Sequence, residues 1–325
     1  MTNLLDIEAL SVWLATRRGP QKAVDDVSFT VGAGEIVGIA GESGSGKTMT
    51  ALSMLGLLPP GATTAGSVRL DGDELLGRPA RYLRGIRGRQ IAMVSQDPAT
   101  SLHPMLRVET QLTEHMRHHL GVSKSEARSR AVELLGTVRI PDPERALRAH
   151  PGQFSGGMRQ RIAIASALAC EPKLLLADEP TTALDVTVQA GILRLLDRLR
   201  RERGLAVVII THDLGVMSSV ADRVCVMYGG RMVEVGPRSA VLAAPRHPYT
   251  RGLLAALPHP ESGNAALRPI PGSPPTLGAI PAGCAFHPRC DFRKDTCGTQ
   301  RPVLAQVSGA HSAACPIDPW GGPDE

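Results

Sequence analysis

The sequence predicts an α/β fold built on a mostly parallel sheet, and three observations carry that prediction. Apolar runs of strand length, at 36–40, 174–177 and 206–210, alternate with stretches of helical spacing such as Val188, Ile192, Leu195, Leu196 and Leu199. A glycine-rich stretch, Gly41-Glu42-Ser43-Gly44-Ser45-Gly46-Lys47-Thr48, stands between the first apolar run and the helix-like 49–55. Two of the apolar runs end in residues that carry chemistry, Asp178-Glu179 and Thr211-His212-Asp213. In an open parallel sheet, ligands sit beyond the carboxyl ends of the strands.

The remaining elements follow in order. Residues 4–14 and 23–31 read as strands on either side of the basic turn Arg17-Arg18-Gly19-Pro20, and 67–72 as a short strand into a turn. Arg81, Arg84, Arg87 and Arg89 read as a solvated helix face. A strand over 90–95 gives way to a helical region from about 100 to 153. His115, His118 and His119 fall in that region without the Glu of an H-E-x-x-H pattern, so they read as surface residues. Ser155 stands where an N-cap would, before Gly156-Gly157 and an apolar face through Ile162, Ile164, Ala165 and Leu168. Strands at about 223–228 and 231–235 close the α/β part. Beyond about residue 245 proline is frequent, and long regular elements are not expected.

Composition bounds the function. The chain has 325 residues, enough for about two domains, with 42% hydrophobic and 21% charged residues. Aromatics make up only 3%, so the core must rest on Leu, Val, Ile and Ala. A net charge of +5 suits an anionic partner, and a solvated surface accounts for it equally well. No apolar run approaches the roughly 20 residues of a membrane-spanning helix. The first residues carry acids and no basic n-region, so a signal peptide is not expected. A cytosolic setting and reduced thiols follow as expectations, leaving the six cysteines free or metal-bound.

The glycine-rich stretch matches G-x-x-x-x-G-K-[ST] between a strand and a helix, the context of a phosphate-binding loop. Its glycines let successive N–H groups turn inward toward phosphate oxygens. The following helix adds its N-terminal donors and the positive end of its dipole. Lys47 is then expected on the β- and γ-phosphates and Thr48 on Mg2+. Asp178 is the second expected Mg2+ residue, and Glu179 the candidate base for the attacking water. ATP or GTP is the expected ligand. The bare helix start at Ser155, Gly156 and Gly157 is a second potential anion site.

In this order, the motifs resemble the nucleotide-binding subunit of an ATP-binding-cassette transporter over roughly 4–245. The resemblance rests on Gly41–Thr48 (Walker A), Gln96 (Q-loop), Ser155-Gly156-Gly157-Met158-Arg159-Gln160 (signature), Asp178-Glu179 (Walker B and the following glutamate), Ala183-Leu184-Asp185 (D-loop) and His212 (switch histidine). It implies a P-loop NTPase cassette with a RecA-like core, an antiparallel β-subdomain and a helical subdomain at about 97–160. It further implies two cassettes that sandwich each ATP between the Walker A loop of one and the signature residues of the other. In that scheme Gln96 links Mg2+ and the water to the helical subdomain, Asp185 and Gln160 belong to the nucleotide interface, and His212 meets the γ-phosphate. The family's adenine-stacking aromatic falls on Leu14 here, with Trp13 beside it and Val24 and its neighbours as the alternative lining.

The tail resembles the C-terminal extension of dipeptide and oligopeptide importer ATPases, through His247-Pro248-Tyr249-Thr250-Arg251-Gly252-Leu253-Leu254, Ile270-Pro271-Gly272-Ser273-Pro274-Pro275 and Cys284-Ala285-Phe286-His287-Pro288-Arg289-Cys290. The implied division is a nucleotide-binding domain over 1–245 and an extension over 246–325. The implied function is ATP-driven peptide import, peripheral to the cytoplasmic face of the cell membrane. The implied partners are two transmembrane permease subunits, a second ABC ATPase (different or identical) and an extracytoplasmic substrate-binding protein, with no nucleic acid. Nickel or glutathione is the alternative cargo. An ABC ATPase acting on ribosomes or DNA is the competing class, disfavoured by a single cassette with a compact insert.

Cys284, Cys290, Cys297 and Cys315 are spaced C-x5-C, C-x6-C and C-x17-C, neither a zinc-ribbon nor a ferredoxin pattern. By spacing alone they could be unrelated thiols. A Pro-rich tail without an apolar core needs a staple, which raises the metal reading. The resemblance to importer ATPases implies that the four ligate a [4Fe–4S] cluster, with zinc as the runner-up. Cys170 and Cys225 lie in apolar elements and read as inert core.

Overall fold

The computed structural model describes residues 3–95, 97, 101–182, 184–257 and 268–317. The chain runs β1 (Asn3–Thr16), β2 (Gly19–Gly32), β3 (Ile36–Ala40), α1 (Lys47–Leu55), β4 (Thr63–Leu70), β5 (Asp73–Glu74), α2 (Ala80–Ile86) and β6 (Ile91–Val94). A helical stretch follows: α3 (Val108–Leu120), α4 (Lys124–Thr137), α5 (Pro143–Arg148) and α6 (Gly156–Leu168). Then come β7 (Leu174–Asp178), α7 (Val186–Arg203), β8 (Ala206–Thr211), α8 (Leu214–Val220), β9 (Arg223–Tyr228), β10 (Arg231–Pro237), α9 (Arg238–Ala243) and α10 (Pro248–Ala255). Two short strands, β11 (Ala305–Ser308) and β12 (His311–Ala313), end the path.

The chain divides into two compact units, the first Met1–Leu4, Val31–Ile36 and Gly77–Ile210, the second Leu5–Thr30, Val37–Leu76 and Thr211–Glu325. In the first, β6, β7 and β8 are parallel, with Ile91 opposite Leu174 and Asp178 opposite Ile210. All of β7 and β8 is buried, as expected of strands covered on both faces. The helical stretch owes its boundaries to local chemistry. Ser123 caps α4 through the Glu126 N–H, and Asp142 caps α5 ahead of Pro143. The histidine trio lies on α3 near its C-terminal end, where Gly121 stops the helix.

In the second unit, β2-β1-β4-β5 form a four-stranded sheet, antiparallel where Leu5 faces Leu70. Here β3 runs parallel to β9, and β10 is antiparallel to β9. The expectation that strands at about 223–228 and 231–235 close the α/β part needs correction. β12, from the Pro-rich tail, pairs with β10 through Glu234 and Ala313, and β11 pairs with β12. The physical reason is that β10 would otherwise leave a row of unpaired N–H and C=O groups along its edge.

Candidate functional site

The phosphate loop lies in the second unit, between fully buried β3 and α1. Gly46 caps α1 at φ +102, and a Cβ there would come within 2.9 Å of the Ala23 carbonyl oxygen, so the position requires glycine. The Gly230 N–H donates to the Ser45 carbonyl at 3.0 Å and braces the loop from β9–β10. Lys47 is buried, and its Nζ donates to the carbonyls of Gly41 (2.7 Å) and Glu42 (2.8 Å) and to Ser45 Oγ (3.3 Å). The ammonium thus sits inside the curl of its own loop. Ser43, Gly44 and Thr48 are exposed.

The acidic strand end lies in the first unit. Asp178 is buried at the carboxyl end of β7, and Glu179 is half-buried just beyond it. Glu179 adopts φ +48, a left-handed conformation costing a side-chain-bearing residue about 1 kcal/mol. Its N–H donates to the Ile210 carbonyl at 2.7 Å, and its carboxylate accepts from Thr182 Oγ1 at 2.8 Å. Turn residues Asp71 and Asp142 are also left-handed, so the backbone alone does not mark a site. A strained carboxylate at the C-terminal end of a buried parallel strand does suit general-base work.

Ser155 caps α6 by accepting the Met158 N–H at 3.4 Å. A Cβ on Gly157 would lie 2.5 Å from Val188 Cγ1, so the missing side chain lets α6 pack closely on α7. Gln160 is buried on α6, and neither end of its amide has a hydrogen-bond partner among the described residues. Asp185 caps α7, accepting the Val188 N–H at 2.9 Å. His212 is exposed just after β8. Gln96 and Ala183 lie outside the described residues. Trp13 and Leu14 are half-buried, with the Lys22 ammonium 4.8 Å from the Trp13 ring centroid. Val24 is fully buried and so has no open face for a base.

In the tail, Cys284, Cys290, Cys297 and Cys315 line one cavity of about 260 Å³. Burial pushes the thiols of Cys290 and Cys315 up to about 11, with neighbouring cysteines adding to the shift. Burial also pushes Cys284 up. Among the described residues, no three His, Cys, Asp or Glu side chains gather closely enough to hold a single metal ion. His247 lines the same cavity. Its Nδ1 accepts the Tyr249 N–H at 3.1 Å, while its buried Nε2 has no partner among the described residues. Burial holds this imidazole neutral by lowering its pKa to about 3. Cys170 and Cys225 are buried away from that cavity, in the core.

Comparison with known proteins decides the family. Residues 24–182 match the ABC transporter model, and 233–297 match the oligopeptide/dipeptide transporter C-terminal region. The oligopeptide transport ATP-binding protein OppD of Salmonella typhimurium is 48% identical over 306 residues, 94% of this chain and 91% of that protein. The chain belongs to the ATP-binding subunits of ABC transporters. The dipeptide transport ATP-binding protein DppD of Bacillus subtilis is 46% identical over 317 residues, 97% of this chain and 95% of its own length. A solved dimer of the ATP-binding cassette MJ0796 bound to ADP and Pi superposes with a TM-score of 0.65 at 30% identity, covering 72% of this chain and 98% of that one. This ABC ATPase therefore has the P-loop cassette fold and couples ATP hydrolysis to transport. Among the described residues, no helix is long and apolar enough to cross a membrane.

Sequence reasoning missed how much of the tail of this ABC ATPase serves the rest of its unit. Glu234 is fully buried on β10 and accepts from the Arg246 N–H (2.6 Å), the His247 N–H (3.0 Å) and His311 Nε2 (2.7 Å). Asp25 on β2 binds Lys22 (2.8 Å), Arg231 (2.9 Å) and Arg301 (3.1 Å). Burial alone would raise the Asp25 carboxyl, but those cations outweigh it and hold it low. An acid alone among apolar strand residues, as Glu234 is in Arg231-Met232-Val233-Glu234-Val235, was the available signal.

Proposed function

We propose that this chain is the ATP-hydrolysing subunit of a peptide importer. The observation that carries the cargo reading is the match of 233–297 to the oligopeptide/dipeptide transporter C-terminal region. The names of the relatives, which specify oligopeptide and dipeptide transport, support it. The proposed division is a cassette over 1–245, with its helical subdomain at about 97–160, and a Pro- and Cys-rich extension over 246–325. The subunit works peripherally at the cytoplasmic face of the membrane with two permease subunits, a second cassette ATPase and an extracytoplasmic binding protein.

In this reading 41–48 of one cassette and Ser155, Gly156, Gly157 and Gln160 of its partner enclose the nucleotide. Lys47 shifts from its own loop carbonyls onto the β- and γ-phosphates. Thr48, Asp178 and Gln96 hold Mg2+, which neutralises phosphate charge. Glu179 takes a proton from the attacking water, Asp185 lines the cassette interface, and His212 contacts the γ-phosphate. ATP closes the cassette pair and hydrolysis reopens it, which moves the permease between two states.

For the tail we propose that Cys284, Cys290, Cys297 and Cys315 hold a [4Fe–4S] cluster, which supplies a covalent staple where an apolar core is thin. That all four cysteines line one cavity supports a shared ligand there. The orphaned Nε2–H of His247 is a donor suited to a sulfur acceptor there.

The test is a pull-down of the tagged chain from detergent-solubilised membranes, read by mass spectrometry. Two multi-span permeases, a second cassette ATPase and a peptide-binding protein are the expected company. Ribosomal or DNA-repair proteins without permeases would sink the importer reading. Anaerobic purification should give a protein with charge-transfer absorbance in the visible; a colourless protein with stoichiometric zinc would overturn the cluster.

A further inference from the structure

Glu42, the second residue of the phosphate loop, is held at three points. Its side chain receives Arg289 in a two-pronged pair, Nη1 to Oε2 at 2.6 Å and Nη2 to Oε1 at 3.0 Å. Its N–H donates to Tyr249 Oη at 2.8 Å, and its carbonyl accepts Lys47 Nζ at 2.8 Å. Arg289 and Tyr249 both lie in the segment matching the oligopeptide/dipeptide C-terminal region, 247 and 207 residues away from their partner. Arg289 cannot swing freely. Its Nε donates to the Pro271 carbonyl at 2.8 Å and its Nη1 to Tyr228 Oη at 3.2 Å. The guanidinium carbon lies 5.8 and 5.9 Å from the ring centroids of Tyr228 and Phe286. Tyr228, Tyr249 and Phe286 pack on one another at 4.6 to 5.3 Å between centroids.

We propose that Arg289 is a positioning residue for nucleotide binding, acting through Glu42 on Lys47. Two effects run in the same direction. The fork fixes the Glu42 side chain while Tyr249 fixes its N–H, so the carbonyl that Lys47 uses keeps one orientation. The guanidinium also neutralises a carboxylate one residue from Gly41, which would otherwise repel an incoming triphosphate. Tyr249, fully buried, supplies the backbone half of the same clamp. A structural pin alone would stabilise the fold and leave affinity for ATP unchanged. A positioning role changes affinity first.

The experiment measures ATP binding by the full-length chain and hydrolysis by the assembled complex. Arg289→Met keeps the apolar stem between the rings and removes the fork; ATP affinity should fall about tenfold, as for loss of one charge-assisted contact, with kcat within about twofold. Arg289→Lys, which keeps the charge without the fork, should recover part of the loss. In a Glu42→Ala background, Arg289→Met should cost nothing further, since the two share one pathway. Unchanged affinity in a folded Arg289→Met or Arg289→Lys chain overturns the proposal, as do losses that add across the two sites. If Arg289→Met does not fold, Arg289→Lys and Glu42→Ala still decide it. A parent chain that binds no ATP would overturn the nucleotide-site reading itself, which separates that failure from this one.

Discussion

Two helices of this chain begin at sequences suited to phosphate, and they treat their first N–H groups differently. α1 starts from Gly46, which has no side chain to offer, and the adjacent Lys47 spends its charge on loop carbonyls that a nucleotide can replace. α6 starts from Ser155, whose hydroxyl occupies the Met158 N–H. At the first end the cap is a glycine forced to φ +102, with no side-chain hydrogen bond to the helix. The second is closed by its own cap, a long hydrogen bond of 3.4 Å. The difference teaches that a bare Gly-Gly helix start and a glycine-rich loop are different devices, although both present N–H groups.

The largest effect that sharpens the comparison separates bond cleavage from both helix ends. Glu179→Gln leaves α1 and α6 intact and removes the proposed base. Hydrolysis by the assembled complex should fall by about 10²–10⁴-fold while ATP binding persists. Turnover at the parent rate would move the base elsewhere. Next comes Lys47→Ala, which removes the charge from the open end. ATP affinity of the isolated chain should drop about 10–100-fold, measured by equilibrium binding, whereas no change at Ser155 should do so without a partner cassette.

Gly157→Ala probes the closed end. The added methyl meets Val188 Cγ1 at 2.5 Å, so either Val188 must turn or α6 and α7 must separate, at about 1–3 kcal/mol. Thermal unfolding should show the loss, and Val188→Ala in the same chain should restore most of it. If Gly157→Ala melts like the parent, the close approach of the two helices is not what this glycine serves.

Much of this was legible in the sequence, for reasons that differ by region. The buried strands β3, β7 and β8 are unbroken apolar runs because both faces are covered, so their limits read directly. The phosphate loop read well because its glycine and lysine spacing is local. Ser155 announced its cap for the same reason. The tail did not read so well. Arg289 stands in a tail motif but pairs with a residue 247 positions away, a distance no periodicity carries. β11 and β12 are four and three residues long in a Pro-rich stretch, too short for an alternation pattern to declare them. Gln160 sits in the signature motif yet is buried, which the helical period of Ile164 and Leu168 could have suggested.

The smallest effect decides what the Ser155 hydroxyl is for. As a cap alone, Ser155→Ala should cost about 1 kcal/mol or less, given its long hydrogen bond, and Ser155→Gly only a few tenths. Thermal unfolding separates the two, with the alanine variant melting lower. Hydrolysis by the assembled complex asks a second question. If the hydroxyl meets the phosphate of a partner-bound nucleotide, both variants lack it equally, and both should lose activity to the same extent despite unequal stability. Activity that follows stability instead, with glycine near the parent and alanine below it, would reduce Ser155 to a cap and leave the backbone of α6 as the only donor at that end.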